Sequence, residues 1–345
     1  IFAWVCDWNL WILESCVRSA RNIPGSHLWV AGPSDWWLWG FYGGLGCLAL
    51  FPQIRPPIRW CCALLSIWLG VGFVSSWQNQ SSQQDTLRCT FVSVGHGTSA
   101  VLELPSGKTL LYDAGTLGAP IAGTRSISAY LWSQGIHHLD AVVLSHADID
   151  HYNALPDLLK RFDVGAVYYS PLMFSGKGVA LEPLRQAVDE AGSFKAEIHQ
   201  GHTLATTEGV KIEILHPPAG GVGGSDNANS IVLDVSYQGK SILLPGDLEP
   251  PGMKSVTSET PRRFDLVMAP HHGSIHSDPE KFAKWTNPKW VVISSGHGHD
   301  VSQVERVYRN QGADVLNTVT SGAIQATVQE NFMTVRSWRN DPWRK

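Results

Sequence analysis

Two apolar stretches near the head of the chain, residues 36–51 (WWLWGFYGGLGCLALF) and 60–77 (WCCALLSIWLGVGFVSSW), run for 16 and 18 positions without a charged side chain. A bilayer core of roughly 30 Å needs about 20 apolar residues in a helix, so the pattern predicts two membrane spans, about 36–52 and 60–77, the first borrowing from its flanks. Tryptophans mark the ends of both, as interfacial rings do, and neither keeps a polar stripe for water. Upstream, Phe2, Val5, Trp8, Ile12 and Cys16 share one helical face. That is the pattern of a helix lying in the interface plane or of a third helix packed in a bundle. After the second stretch the polar run ends in residues 78–85, which read as a short linker.

From Thr86 the period changes. Short runs of alternating or continuous apolar residues follow one another (TLRCTFVSVG, SAVLELP, KTLLYDAG), then recur at 141–145, 166–170, 210–216, 230–236, 241–245, 265–269 and 290–294. Helical patterns fall between several of them, at 126–134, 153–162, 179–191, 278–285 and 301–311. Strands interleaved with helices and no internal repeat predict an α/β domain over residues 86–345.

Composition sharpens this division. The 345-residue chain is 43% apolar and only 16% charged, and residues 1–87 hold ten of its fifteen tryptophans but only four basic and four acidic side chains. The remainder carries 22 basic and 26 acidic residues, net −4, so no broad positive field is available to hold a polyanion. Five of the six cysteines lie in the apolar quarter and none forms a CxxC pair, so neither a thiolate zinc site nor a disulfide framework is suggested. The chain opens on Ile1 without a basic leader, and reads as a piece of a longer protein.

The densest chemistry is Ser145-His146-Ala147-Asp148-Ile149-Asp150-His151, directly after an apolar strand and before a helical stretch. Two imidazoles and two carboxylates in six positions would repel one another unless a cation sat among them. Two further strand ends offer donors: Gly246-Asp247 after an apolar run, and His271-His272-Gly273-Ser274 after another. Polar residues repeatedly placed just beyond strands point to one rim of a sheet, where α/β proteins site their chemistry.

HADIDH, the downstream Gly246-Asp247 and HHGS, in that order, resemble the motif series of the metallo-β-lactamase fold. The resemblance implies a four-layer αββα sandwich with metal ions at one edge of its two sheets. More narrowly, the chain is similar to the C-terminal part of ComEC-type DNA-internalisation proteins of natural transformation, through VGHG (94–97), LLYDAG (110–115), HADIDH, SDNANS (225–230), PGDLE (245–249), HHGSIHS (271–277) and ISSG (293–296). The resemblance makes His146, Asp148, Asp150 and His151 metal ligands, Asp247 the carboxylate bridging two divalent ions, and one of His271 or His272 a further ligand. Asp113 matches an orienting acidic motif. Asp148, standing where the fold more commonly has histidine, makes the site richer in oxygen and tilts it from Zn2+ toward Mn2+. Ser274, Ser277 and His299 are candidates to donate hydrogen bonds to a phosphate, Ser274 equally readable as a turn residue and Ser277 better read as capping the helix that starts near Asp278. The other histidines, His96 included, read as ordinary loop or core residues.

The implied function is a membrane-anchored, metal-dependent nuclease acting on DNA during uptake, degrading the strand that is not transported. Asp150 and Asp113 support its chemistry, and the two cations supply the positive charge the domain lacks. Implied partners are DNA, membrane lipid, the rest of a channel domain upstream of residue 1 and other DNA-uptake proteins. The implied location is the bacterial inner membrane, with the hydrolase domain on the outer face, consistent with Arg55 and Arg59 in the loop between the apolar stretches. Two other classes remain open: a non-catalytic DNA-guiding module, and a metallo-hydrolase of a small molecule such as a lactam, thioester or cyclic phosphodiester.

Overall fold

Alternation within single strands decides the layering. In the strand Lys240–Leu244, Ile242 and Leu244 join one apolar cluster while Leu243 between them joins another. The same split separates Leu102 from Val101, and Val143 from Val142. Strands whose side chains are apolar on both faces must be covered twice, by a sheet on one side and helices on the other.

The computed structural model describes residues 2–21, 35–81, 85–174, 181–204 and 209–343. Eight strands form the first sheet: β1 (Leu87–Phe91), β2 (Ala100–Glu103), β3 (Thr109–Tyr112), β4 (His138–Leu144), β5 (Asp163–Tyr169), β6 (Phe194–Glu197), and, from the far end of the chain, β14 (Ile324–Gln329) and β15 (Phe332–Ser337). Their order is β15-β14-β1-β2-β3-β4-β5-β6, parallel from β3 to β6. The second sheet holds β7 (Thr203–Leu204), β8 (Lys211–His216), β9 (Val232–Tyr237), β10 (Lys240–Leu244), β11 (Leu266–Met268), β12 (Trp290–Ile293) and β13 (Asp314–Asn317), in the order β13-β12-β11-β10-β9-β8-β7. From β10 to β13 it is parallel.

The sheets face each other across Leu87, Phe91, Leu102, Tyr112, Ile212, Leu233, Leu244 and Met268. Helices at Pro120–Ser133 and Glu182–Ala191 cover the outer face of the first sheet through Ile127, Leu131, Leu184 and Val188. Helices at Gly252–Ser258, Pro279–Thr286 and Ser302–Asn310 cover the second through Met253, Phe282, Trp285, Val304 and Tyr308. The result is the expected helix–sheet–sheet–helix stack. Parallel strands from both sheets end on one rim, and residues just beyond β3, β4, β10, β11 and β12 meet there.

The described residues of the N-terminal quarter are largely helical, as their pattern implies, but the expectation of two spans is not met. We label its helices α1 (Phe2–Arg21), α2 (Asp35–Leu50) and α3 (Ile58–Ser81). The 16 residues of α2 rise only about 24 Å. The 24-residue α3 has Arg59 in its first turn and a polar WQNQS tail, so its apolar length falls short of its helical length. Among the described residues no helix is long and apolar enough to cross a membrane. The stretch read as linker begins inside α3, which continues to Ser81, and residues 82–84 lie outside the described residues.

α2 and α3 hold each other through a reciprocal contact. Trp37 is buried, donates from Nε1 to the Trp68 carbonyl at 2.8 Å, and covers Gly72, where a Cβ would come within 2.6 Å of its ring. Trp68 in turn covers Gly40, again at 2.6 Å. Arg55 turns back onto the end of α2, donating to the Leu48 and Ala49 carbonyls. Much of the remaining surface of this hairpin is exposed and apolar, including Trp36, Trp39, Trp60, Leu64, Ile67 and Phe73.

Candidate metal centre

The loop that carries HADIDH is pressed against two glycines. A Cβ on Gly115 would lie 2.2 Å from the Asp150 carbonyl carbon, and one on Gly97 would lie 2.5 Å from the Gly115 carbonyl oxygen. Thr98 N donates to the Asp150 carbonyl at 3.1 Å and Ala114 N to that of His151 at 2.7 Å, so the turns after β1 and β3 clamp the loop backbone. Any side chain at either glycine would prise this seam apart.

Three histidines are then aimed by the same device, with Nδ1 occupied by the protein and Nε2 pointed into the pit. His151 Nδ1 lies 2.7 Å from Asp113 Oδ2, His146 Nδ1 2.9 Å from Ser145 Oγ, and His272 Nδ1 3.0 Å from the Ser294 carbonyl. Asp113 also accepts from Ser145 N and Ser145 Oγ, both at 2.7 Å, and so orients the whole group from beneath. An imidazole held at Nδ1 presents its Nε2 lone pair outward, as a metal ligand requires.

Two groups of donors result. His146, His151 and Asp247 each place a ligand atom within 4.8 Å of the others, and so do His96, Asp150 and His272. Asp247 links them: its Oδ1 lies 3.1 Å from His151 Nε2, and its Oδ2 lies 3.3 Å from His272 Nε2. Asp148, half-exposed, sits with Oδ2 3.6 Å from His146 Nε2. His272, not His271, enters the pit; His271 lies at its edge, 3.8 Å from Asp247 Oδ2 and 3.5 Å from Glu249 Oε1. Both residues have positive φ, 50° and 53°, a strained turn that separates the two rings.

The donor set fits divalent cations. His146 Nε2, His151 Nε2 and Asp247 Oδ1 are all buried without a hydrogen-bond partner, although they converge on one another. Such atoms are costly to bury unless something fills the space between them. Among the described residues no lysine or arginine pairs with Asp113, Asp148, Asp150 or Asp247; histidines alone face them. In the metal-free protein the imidazoles therefore act as the counter-charges. Burial opposes the charged form of His272, but Asp247 and the hydrogen bond with Asp150 raise it to about 9. Burial likewise disfavours charge on His151, and Asp247 and Asp113 overcome it, holding its pKa well above the usual histidine value. Burial would push Asp150 up, yet His272 and His151 hold it at about 2.

The remaining candidates are placed less centrally. Ser274 Oγ accepts from His276 N at 3.2 Å, and Ser277 Oγ donates to the Ser274 carbonyl at 2.6 Å, so both serve the turn. His299 is exposed at the rim, its ring 5.2 Å from that of His96. His96, read from sequence as ordinary, stands inside the constellation. In the SDNANS stretch Asn229 braces the loop through Val222, while Ser230 Oγ accepts from Asp247 N at 3.2 Å.

The comparisons give the family. Residues 92–305 match the model of the metallo-beta-lactamase superfamily. "ComE operon protein 3" of Bacillus subtilis (strain 168) is 30% identical over 256 residues, covering 68% of this chain and 32% of that protein. "Competence protein ComA" of Neisseria gonorrhoeae is 28% identical, covering 81% and 37%, and "Recombination protein 2" of Haemophilus influenzae is 28% identical, covering 76% and 31%. The chain thus spans about a third of the length of these relatives. With the match extending over well over half its residues, the chain belongs to the metallo-beta-lactamase superfamily, and its homologues are of the ComEC competence family.

Proposed function

We propose that the sandwich domain is a metal-dependent phosphodiesterase that cuts DNA during uptake and degrades the strand that is not transported. The observation that carries this reading is Asp247, whose two oxygens face the two donor groups from one point. His146, Asp148 and His151 would hold one ion, Asp150 and His272 the other, with Asp247 between them. When bound, a pair of divalent ions supplies Lewis acidity and a hydroxide near neutral pH. Mn2+ and Zn2+ both suit this mixture of imidazole and carboxylate.

The protein's own part is to orient and to desolvate. Asp113 and Ser145 fix the imidazoles, the glycine seam fixes the loop, and His299 at the rim is a side chain that would donate to a phosphate oxygen. Ser274 Oγ accepts from His276 N and keeps its own O–H to donate, so it is proposed beside His299 for that role. The competence relatives support DNA as the substrate. The exposed apolar surface of α2 and α3 supports a membrane setting shared with lipid. The proposal puts the hydrolase domain on the outer face of the inner membrane, beside further channel segments.

The test is cleavage of end-labelled single- and double-stranded DNA by the purified chain, stripped of metal and resupplied with Mn2+ or Zn2+. Cleavage that returns with metal and is absent from Asp150→Ala is expected. Equal cleavage by Asp150→Ala would refute the proposal.

A further inference from the structure

We infer that His96 is a direct metal ligand, the donor that completes the more open of the two positions. The inference rests on the two-ion reading above and adds to it a residue outside the strand-end motif series.

His96 lies in the turn between β1 and β2, and that turn is held on every side. Gly95 and Gly97 have φ of 86° and 149°, and Gly97 has no room for a Cβ. Thr116 Oγ1 donates to the Val94 carbonyl, Leu117 N to that of His96, and Ser294 Oγ to that of Gly97. Across the turn, a Cβ on Gly296 would lie 2.6 Å from the His96 Cβ, so only glycine there lets the turn come this close. These contacts fix the backbone from which the imidazole projects.

The imidazole has no hydrogen bond among the described residues, yet it faces the pit. Its Nε2 is 4.0 Å from Asp150 Oδ2, and its ring centroid is 4.5 Å from that of His272. A spacing of 4.0 Å is too long for a hydrogen bond. It is short enough for two donors on one ion, each about 2.0–2.2 Å from it. Without His96 the open position has Asp150, His272 and one oxygen of Asp247. With it the position has two imidazole nitrogens and two carboxylate oxygens, matching in kind the buried group of His146, His151 and Asp247 with half-exposed Asp148 at its edge. The class of ligand is a borderline divalent cation, held in matched nitrogen and oxygen environments on both sides.

The experiment is titration of the metal-stripped full chain with Co2+, following stoichiometry by calorimetry and coordination by the visible spectrum. The variants are His96→Ala, His96→Gly with and without added imidazole, and Asp150→Asn. Wild type should take two equivalents. His96→Ala should keep the first and bind the second at least about tenfold more weakly. Imidazole should restore the second equivalent to His96→Gly, a rescue that a merely structural histidine would not show. Unchanged binding of two equivalents by His96→Ala overturns this inference and leaves the two-ion reading standing. Loss of both equivalents by His96→Ala while Asp150→Asn loses one also overturns it, since His96 would then be holding the loop rather than an ion. A wild-type chain that takes no Co2+ refutes both.

Discussion

The two sides of the pit are built on different principles. On one side His146, His151 and Asp247 are at most 3% exposed, their ligand atoms lack protein partners, and each imidazole is braced from behind. On the other, His96 is 27% and Asp150 13% exposed at the side chain, and the donors come from separate turns after β1, β4 and β11. A buried set of unpaired donors is costly when empty, so that side gains most from an ion. The open side can be solvated instead.

The substitution with the largest effect should erase this contrast. Asp247→Asn touches both donor groups, and both equivalents should weaken by more than about 100-fold in a calorimetric titration. Loss of only one would show that Asp247 does not bridge.

Asp113→Asn should sharpen the contrast. Among the described residues the Asp113 carboxylate is hydrogen-bonded to His151 and Ser145, beneath the buried side. Metal affinity should fall by about 10–100-fold for one equivalent and hold for the other.

The mildest probe is pH. His272 in the metal-free protein is raised to about 9, against an ordinary histidine near 6.5. Its contribution to stability is therefore fully present below about pH 6.5 and is lost as pH rises through about 9. Melting temperatures in chelator should fall over that interval. Metal affinity should rise over the same interval, by about tenfold per pH unit for each proton displaced. A metal-free protein that gains stability between pH 7 and 9 would contradict the assignment of charge.

Much of the centre was legible because strand-end residues announce themselves. HADIDH, Gly246-Asp247 and HHGS each follow an apolar run, and parallel strands bring their ends to one rim whatever their separation in sequence. The choice between His271 and His272 was not legible, because it depends on two consecutive positive-φ residues that turn one ring in and the other out. His96 escaped because a lone histidine carries no spacing signal; its two flanking glycines were the available clue. Strands β14 and β15 were also missed. Their alternation is diluted by Gln325, Thr327, Thr334 and Arg336, and their place beside β1 comes from pairing across the whole domain. In the first quarter, hydropathy identified the helices but not their ends: α2 stops after 16 residues, too few to span, and α3 runs on into polar sequence.

The crossed tryptophans of that quarter have a mechanical consequence. Trp37 is seated over Gly72 and Trp68 over Gly40, so each helix carries both a peg and the socket for its neighbour's peg. Sliding one rod along the other, or rolling it by a turn, would drive both indoles into backbone at once. The two contacts therefore oppose both sliding and rolling of one helix against the other.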